Sequence, residues 1–496
     1  MASIPLRDIP HHHAARLGRD TIAVRVGEEA LSWGDLDERS TRRAYALSAL
    51  GVGANDLVTI ALKNELLFFE WTFAIWKLGA VPHAASWRSS AAELAAMLEL
   101  ARPAAVIASE ADRLSSVGAI SADWGLSETG KGPLPDIVSS HWKAMSSGGS
   151  TGRPKIIVDH KPALYDSQST YLGVADGETV LNPGPLYHNA PFSMAHNALF
   201  KGNPLINLAK FDAEETLRLI DCHGVASINF VPTMMLRIWR LPDDVKARYD
   251  LSSLRNIWHM AAPMPRWLKH AWIDWIGAEK INEAYAGTES VGATTINGTE
   301  WVLHEGSVGR PKNCSVRILD EAGAELPSGS IGEVWLKPNN PQKAYHYIGA
   351  QQPSGTSDYE SLGDHGWVDA DGYLYLADRR TDLVISGGSN IYPAEVENAI
   401  MEHPAVETAV VIGLPDEDLG ASVHAIVKLN DGSSSRPGAD DLIAFLRSRL
   451  VSYKLPRSFE FTQFQLRDEA GKVRRSQLRQ ERMNENLVGP LTGKSV

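Results

Sequence analysis

The run Ser146-Ser147-Gly148-Gly149-Ser150-Thr151-Gly152-Arg153-Pro154-Lys155 concentrates residue types suited to holding an anion. Its three glycines let successive backbone N–H groups turn inward, and four hydroxyls with Lys155 add donors for phosphate oxygens. The G-x-x-x-x-G-K-[ST] spacing is absent, so this is not a Walker loop. A Gly/Ser run alone suits a flexible linker equally well. The fixed order Thr-Gly-Arg-Pro-Lys shifts the balance to phosphate binding. Tyr285-Ala286-Gly287-Thr288-Glu289 offers an aromatic face for a base and a hard carboxylate oxygen for magnesium. By itself it would read as a solvated turn. Gly471-Lys472 precedes a terminal helix and places an amine on a movable loop, although charge runs of this kind are usually solvated. His11-His12-His13 lacks a spaced partner and reads as a solvated N-terminal segment rather than a metal site.

Positioning such groups requires strands and helices in alternation. Leu57–Ala61 and Ala104–Ala108 read as buried strands, and Ile156–Val158 as a strand leaving the glycine loop. Asn64 is expected to cap a helix that Gly79 ends. Residues 118–140 and 339–360 read as loops. Beyond Asp382 a smaller unit begins. Val384–Ser386, Ala405–Gly413 and Val423–Leu429 are expected strands. Pro393 opens a helix through His403, and Asp440–Val451 forms another with one apolar face. The expected class is α/β, with a large N-terminal multi-sheet α/β domain (1–380) and a small mobile C-terminal α+β domain (381–496).

Composition narrows the function. The chain has 496 residues, 44% apolar and 22% charged, with a net charge of −12. That charge argues against nucleic acid as a partner. Two cysteines exclude a disulfide scaffold and fit a reducing compartment. Leu66–Leu78 is too short and too charged to span a membrane, and the polar start lacks an apolar signal core. A cytoplasmic protein is expected.

Read together and in order, these segments resemble the acyl-adenylate-forming (AMP-binding) enzymes: acyl- and aryl-CoA ligases, firefly-type luciferases and peptide-synthetase adenylation domains. The resemblance covers nearly the whole chain. The glycine loop departs in having Gly148-Gly149 where Ser-Gly is usual and Ile156 where the final Gly is usual. By this resemblance Ser147, Gly149, Ser150, Thr151, Gly152 and Lys155 bind ATP phosphates. Tyr285 stacks on adenine beside Ala261-Ala262-Pro263, Thr288 touches the α-phosphate, and Glu289 helps hold Mg²⁺. Ala286 replaces the family's usual Gly. Leu362-Gly363-Asp364 followed by Gly366-Trp367 resembles the ribose segment, with Asp364 accepting both ribose hydroxyls. Gly306–Pro311 matches a further block, read as structural. Asp378-Arg379-Arg380-Thr381-Asp382 resembles the inter-domain segment, which gives Arg379 a ribose or phosphate contact and Thr381 the hinge position, where Asp or Lys is usual.

Ser386-Gly387-Gly388 resembles the loop bordering the CoA pantetheine tunnel. Lys472, in Gly471-Lys472-Val473-Arg474-Arg475, stands where the family has its catalytic lysine. The segment Tyr187–Phe192 resembles the one that lines the acyl pocket, with His188 gating it. Phe192, Val231, Trp258, Ala262 and the small Gly292 are expected around that pocket. The implied reaction joins a small-molecule carboxylic acid to CoA through an acyl-adenylate, with Mg²⁺, ATP and CoA required. No basic residue is evident for a second carboxylate, so the acid is expected to be largely apolar and ring-bearing, aryl or steroid-like. Gly184–Phe192 also resembles bile-acid-type CoA ligases. Transfer to a carrier protein or other acceptor stays open as the alternative, and so does a homodimer. A luciferase-like oxidation has no residue that singles it out. An amino-acid substrate lacks the usual Asp in the segment from His188 to Met194, and a nucleotide sensor would not need Lys472.

Overall fold

The computed structural model describes residues 3–110, 118–128, 130, 132–148, 154–340, 342–351, 358–379, 382–386, 389–416, 418–430, 436–469 and 471–486. Gly149, Ser150, Thr151, Gly152, Thr381, Gly387 and Gly388 lie outside the described residues, as do the side chains of Ser147 and Arg379.

Two large sheets build the N-terminal part. A seven-stranded sheet runs in the order Tyr345–Ile348, Pro154–Asp159, Ala144–Gly148, Val81–Ala84, Leu57–Ala61, Ala105–Ala108 and Ile120–Ser121. The other has thirteen strands. Its centre is parallel, with Leu205–Asn207, Thr179–Asn182, Val225–Phe230, Asn256–His259 and Ile281–Ala286 side by side. Parallel strands are buried on both faces and read as continuous apolar runs, as Val225–Phe230 does. Leu66–Lys77 is apolar almost all round, with eleven buried residues, as a helix packed on several sides must be. It shares one apolar core with Val24 and Leu31 of the larger sheet and Val58, Ile60 and Ala84 of the smaller.

The small C-terminal unit has two sheets among the described residues. Val384–Ser386 pairs with Ser389–Ile391, and Val406–Asp416, Gly420–Leu429 and Ser458–Thr462 form the second. Among the described residues its α-helices are Pro393–Met401, Ala439–Leu446 and Arg475–Asn486, the first two packed on a core of their own. The second helix is shorter than its apolar spacing predicts, although Leu450 beyond its end is still buried. No helix among the described residues is long and apolar enough to cross a membrane.

Three local expectations are corrected. Asn64 does not cap the helix, whose N-cap is Glu65 without a side-chain bond. Its amide instead donates to the carbonyls of Gly184 and Leu208 and accepts from Leu186 N–H at 2.9 Å. A buried amide with backbone groups on every side is worth more there than at a cap. The stretch 339–360 contains a strand, Tyr345–Ile348, paired with the strand that leaves the glycine loop. Its polar flanks hide an alternating aromatic pattern. The N-terminal histidines lie in the helix Ile9–Leu17, where His13 is buried and bonded to the Phe200 carbonyl at 2.9 Å. Burial lowers His13 to about 4, so it is neutral.

Candidate active site

The glycine loop joins two antiparallel strands whose last pairs are Ser147 with Lys155 and Gly148 with Pro154. The hairpin therefore fixes both ends of the loop. Ser146 is held from behind by His83, whose Nε2 lies 2.8 Å from the hydroxyl and whose Nδ1 lies 2.9 Å from Thr59 Oγ1. Burial lowers His83 to about 4, so a neutral imidazole bridges the two hydroxyls.

Across from the loop, Gly287 to Ser290 make a turn closed by Ser290 N–H donating to the Gly287 carbonyl at 3.1 Å. Thr288, half-buried, sits within this turn. The turn aims Glu289 at Lys155. The Lys155 ammonium donates to Glu289 Oε1 at 3.1 Å, and the Tyr347 hydroxyl donates to the same oxygen at 2.7 Å. The ammonium also lies 4.1 Å from the Tyr347 ring centroid. Burial opposes ionisation of Glu289, but Lys155 and the Tyr347 hydroxyl outweigh it and hold the carboxyl below its ordinary range. A Cβ at Gly287 would stand 2.9 Å from Glu289 Oε2 and from a Leu362 methyl, so a larger residue here would displace the tips of both side chains. An ionised carboxylate with both donors gathered on one oxygen fits Mg²⁺, a hard cation bound by few carboxylates and by phosphate oxygens.

The strand carrying Tyr285 brings it to Asp364, and the phenol donates to Asp364 Oδ2 at 2.6 Å. One oxygen of the expected ribose carboxylate is thus engaged by the expected adenine-stacking ring. Arg379 is the strand partner of Asp364. Ala261-Ala262-Pro263 follows strand Asn256–His259, and Ala261 has φ +74°. A left-handed alanine costs roughly 1–2 kcal/mol, strain of the kind stored where a backbone meets a ligand.

The C-terminal unit reaches this same edge. A Cβ at Gly471 would lie 3.5 Å from Ala262 Cβ and 3.6 Å from Thr233 Oγ1. The Lys472 loop therefore rests on the segment expected against adenine. Reciprocal bonds of 2.9 Å tie Asp468 N–H to the Lys472 carbonyl and Lys472 N–H to Asp468 Oδ1. His188 caps the helix Asn189–Lys201 from an extended conformation. Burial lowers it to about 4, with Asp468 opposing and Lys472 reinforcing the shift. A neutral imidazole and the lysine loop thus share one neighbourhood.

The expected pocket residues divide. Val231 stands between strand Val225–Phe230 and the helix Pro232–Trp239, and Trp258 lies on the adjacent strand, its indole N–H donating to the Leu172 carbonyl at 2.8 Å. Phe192 is packed inside an aromatic core, its ring 4.1 Å from His196 and in contact with Phe68 and Trp142. Gly292 lies against Cys314, where a Cβ would meet its neighbour at 2.7 Å. Both are closely packed, a neighbourhood that residue type cannot reveal. Ser386 ends its short strand beside the undescribed Gly387 and Gly388.

Sequence reading missed three groups. Tyr347 was hidden by the loop-like flanks of its strand, and His83 lies in a run that otherwise reads as apolar. Lys143 is a buried lysine beneath the His188 helix, donating to Asn189 Oδ1 and to Ser193 Oγ at 2.8 Å. Burial lowers its amine to about 7, opposed by Asp159.

The profile of the AMP-binding enzyme family matches residues 11–346, and that of its C-terminal domain matches residues 395–472. The chain belongs to the AMP-binding enzymes. A feruloyl-CoA synthase from an Amycolatopsis species is 32% identical over 485 residues, covering 94% of this chain and 96% of that protein. A fatty acid–[acyl-carrier-protein] ligase from Streptomyces coeruleorubidus is 28% identical, covering 92% and 93%. The structure of o-succinylbenzoate CoA synthetase from Bacillus subtilis with its acyl-adenylate intermediate superimposes with a TM-score of 0.81 at 25% identity, covering 96% of this chain and 98% of that one.

Proposed function

We propose that this AMP-binding enzyme is a carboxylic acid–CoA ligase that forms an acyl-adenylate and then a thioester. The observation that carries this reading is the docking of the Lys472 loop against Ala262 and Thr233, with His188 in the same electrostatic neighbourhood. In the first step a carboxylate oxygen attacks the α-phosphorus of ATP and pyrophosphate leaves. Two anions must meet, so the barrier is electrostatic and entropic. Lys472 lies between carboxylate and phosphate and offsets their repulsion. Lys155, Ser147, Gly149, Ser150, Thr151 and Gly152 cradle the departing pyrophosphate, and Thr288 contacts the α-phosphate. Tyr285, Asp364 and Arg379 hold the nucleoside. Mg²⁺, when bound beside Glu289, neutralises phosphate charge.

In the second step the CoA thiol attacks the acyl carbon and AMP leaves. The domain boundary lies at 380/381, with Thr381 as hinge, and the small domain turns to withdraw Lys472 and present Ser386, Gly387 and Gly388 to pantetheine. Neutral His188 gates the acyl site, with Val231 and Trp258 as walls. The acid is apolar and ring-bearing. The feruloyl-CoA synthase and the succinylbenzoate enzyme favour an aryl acid over a steroid-like one. The acyl-carrier-protein ligase keeps a carrier protein as the second acceptor reading.

A panel of aryl, arylpropenoic, steroid, fatty and amino acids with MgATP, with and without CoA, tests this by AMP and pyrophosphate release. AMP formed with CoA and an aryl acid is the expected result. Release that ignores CoA but requires a carrier protein selects the second reading, and no release with any acid overturns both.

A further inference from the structure

The loop bearing Lys472 is gripped on both sides by the same short stretch of the N-terminal part. Glu469 precedes the lysine by three residues, and Arg474 follows it by two. Glu469 Oε1 accepts from Arg88 at 2.6 Å, and its Oε2 accepts the Tyr187 hydroxyl at 3.1 Å. Arg474 donates to Glu93 Oε1 at 3.2 Å. Arg88 and Glu93 flank the start of helix Ala91–Ala101, and both are set by local contacts of their own. Glu93 Oε2 accepts Ser90 N–H at 2.9 Å in a reciprocal capping box, and the Arg88 guanidinium lies 4.8 Å from the Trp87 ring centroid.

The polarity of the two pairs matters. The platform reads Arg88 then Glu93, and the loop reads Glu469 then Arg474. A loop docked in the reverse sense would oppose like charges at both points, so the pattern fixes orientation as well as attachment. Glu469 is one-third exposed and Arg88 nearly half, while both partners of the other pair are more than half exposed. Pairs so exposed are each worth about two- to fivefold in an equilibrium and are screened by salt, which suits a contact that must release within each turnover.

We propose that Arg88 and Glu93 form a two-charge docking platform that receives Glu469 and Arg474 and thereby sets Lys472 at the site of adenylate formation. The four are positioning residues, and the proposal rests on the reading of Lys472 given above. Their effect falls on the first half-reaction alone, because the small domain leaves this contact before thiol transfer.

Two assays separate the halves: acid-dependent ATP–pyrophosphate exchange, and CoA transfer from preformed acyl-adenylate. Arg88→Glu and Glu469→Arg are each expected to lower exchange about tenfold, since each replaces an attraction with a repulsion. Transfer stays within about twofold of the parent, which also shows that the variants fold. The double variant Arg88→Glu/Glu469→Arg is expected to recover most of the lost exchange. Arg474→Glu gives a smaller loss on the same half-reaction. Equal losses in both assays, or a double variant no better than the single ones, would overturn the platform. Lys472→Ala runs alongside. If it cripples exchange while the charge reversals do not, the platform fails and the reading of Lys472 stands. If it leaves exchange intact, both fail.

Discussion

Two regions of the candidate site are held by opposite means. On the N-terminal side, Glu289, Lys155 and Tyr347 form a compact, largely buried network with contacts of 2.7–3.1 Å on one carboxylate oxygen. On the C-terminal side, the Lys472 loop is held by ion pairs that are one-third to two-thirds exposed. A buried network with its polar groups paired is costly to open, whereas exposed pairs give way to water at small cost. On the function proposed above, the difference is that between a stationary phosphate site and a loop that arrives and departs.

The sharpest way to break this comparison is to remove the arriving group. Lys472→Ala is expected to lower adenylate formation by about 10²–10³ and to spare thiol transfer from preformed adenylate, as loss of one charge-stabilising donor does. Single-turnover measurements of both halves check it. On the stationary side, Glu289→Gln should reduce adenylate formation by about 10²-fold and raise the magnesium concentration needed, because a neutral amide is a poorer ligand for a hard cation. A magnesium titration of pyrophosphate exchange reads this. Tyr347→Phe keeps the ring over Lys155 and removes one bond to Glu289, and the expected loss is about tenfold, equivalent to a hydrogen bond to a charged group. If Tyr347→Phe were silent while Lys472→Ala remained severe, the stationary side would owe nothing to that strand.

The smallest effect on activity is expected at Lys143, where stability is the readout. Its amine is lowered from the ordinary lysine value to about 7. Below about pH 7 both folded and unfolded states carry the proton, and the cost of the buried charge is fully present. Above it the folded state releases the proton first, so that cost shrinks as pH rises toward the unfolded value near 10.4. Lys143→Met is therefore expected to gain most in thermal stability near pH 6 and progressively less by pH 9. A gain independent of pH would show that packing, not charge, sets the effect.

The family was legible in the sequence because its segments recur in order along the chain, as the matches over residues 11–346 and 395–472 show. A short run of glycines and hydroxyls between two strands is a residue pattern suited to turning backbone N–H groups toward an anion. The strands Leu57–Ala61 and Val384–Ser386 were legible to the residue, because short apolar runs between turn signals have few other uses. The place of Asn64 was not. An amide that bridges three distant backbone groups looks like a helix cap until those groups are seen around it. The stacking of Phe192 on His196 was hidden as well, because ring contacts depend on how the helix packs.

The sequence by itself determined which groups this protein carries and the family it belongs to, since a motif depends on residue type and local spacing. Only the tertiary structure decided which of them meet. Tyr347 joins Glu289 across 58 residues, and Glu469 joins Tyr187 across 282. Such meetings follow from sheet order and domain docking, which are set by burial summed over the whole chain and leave no mark in any single segment.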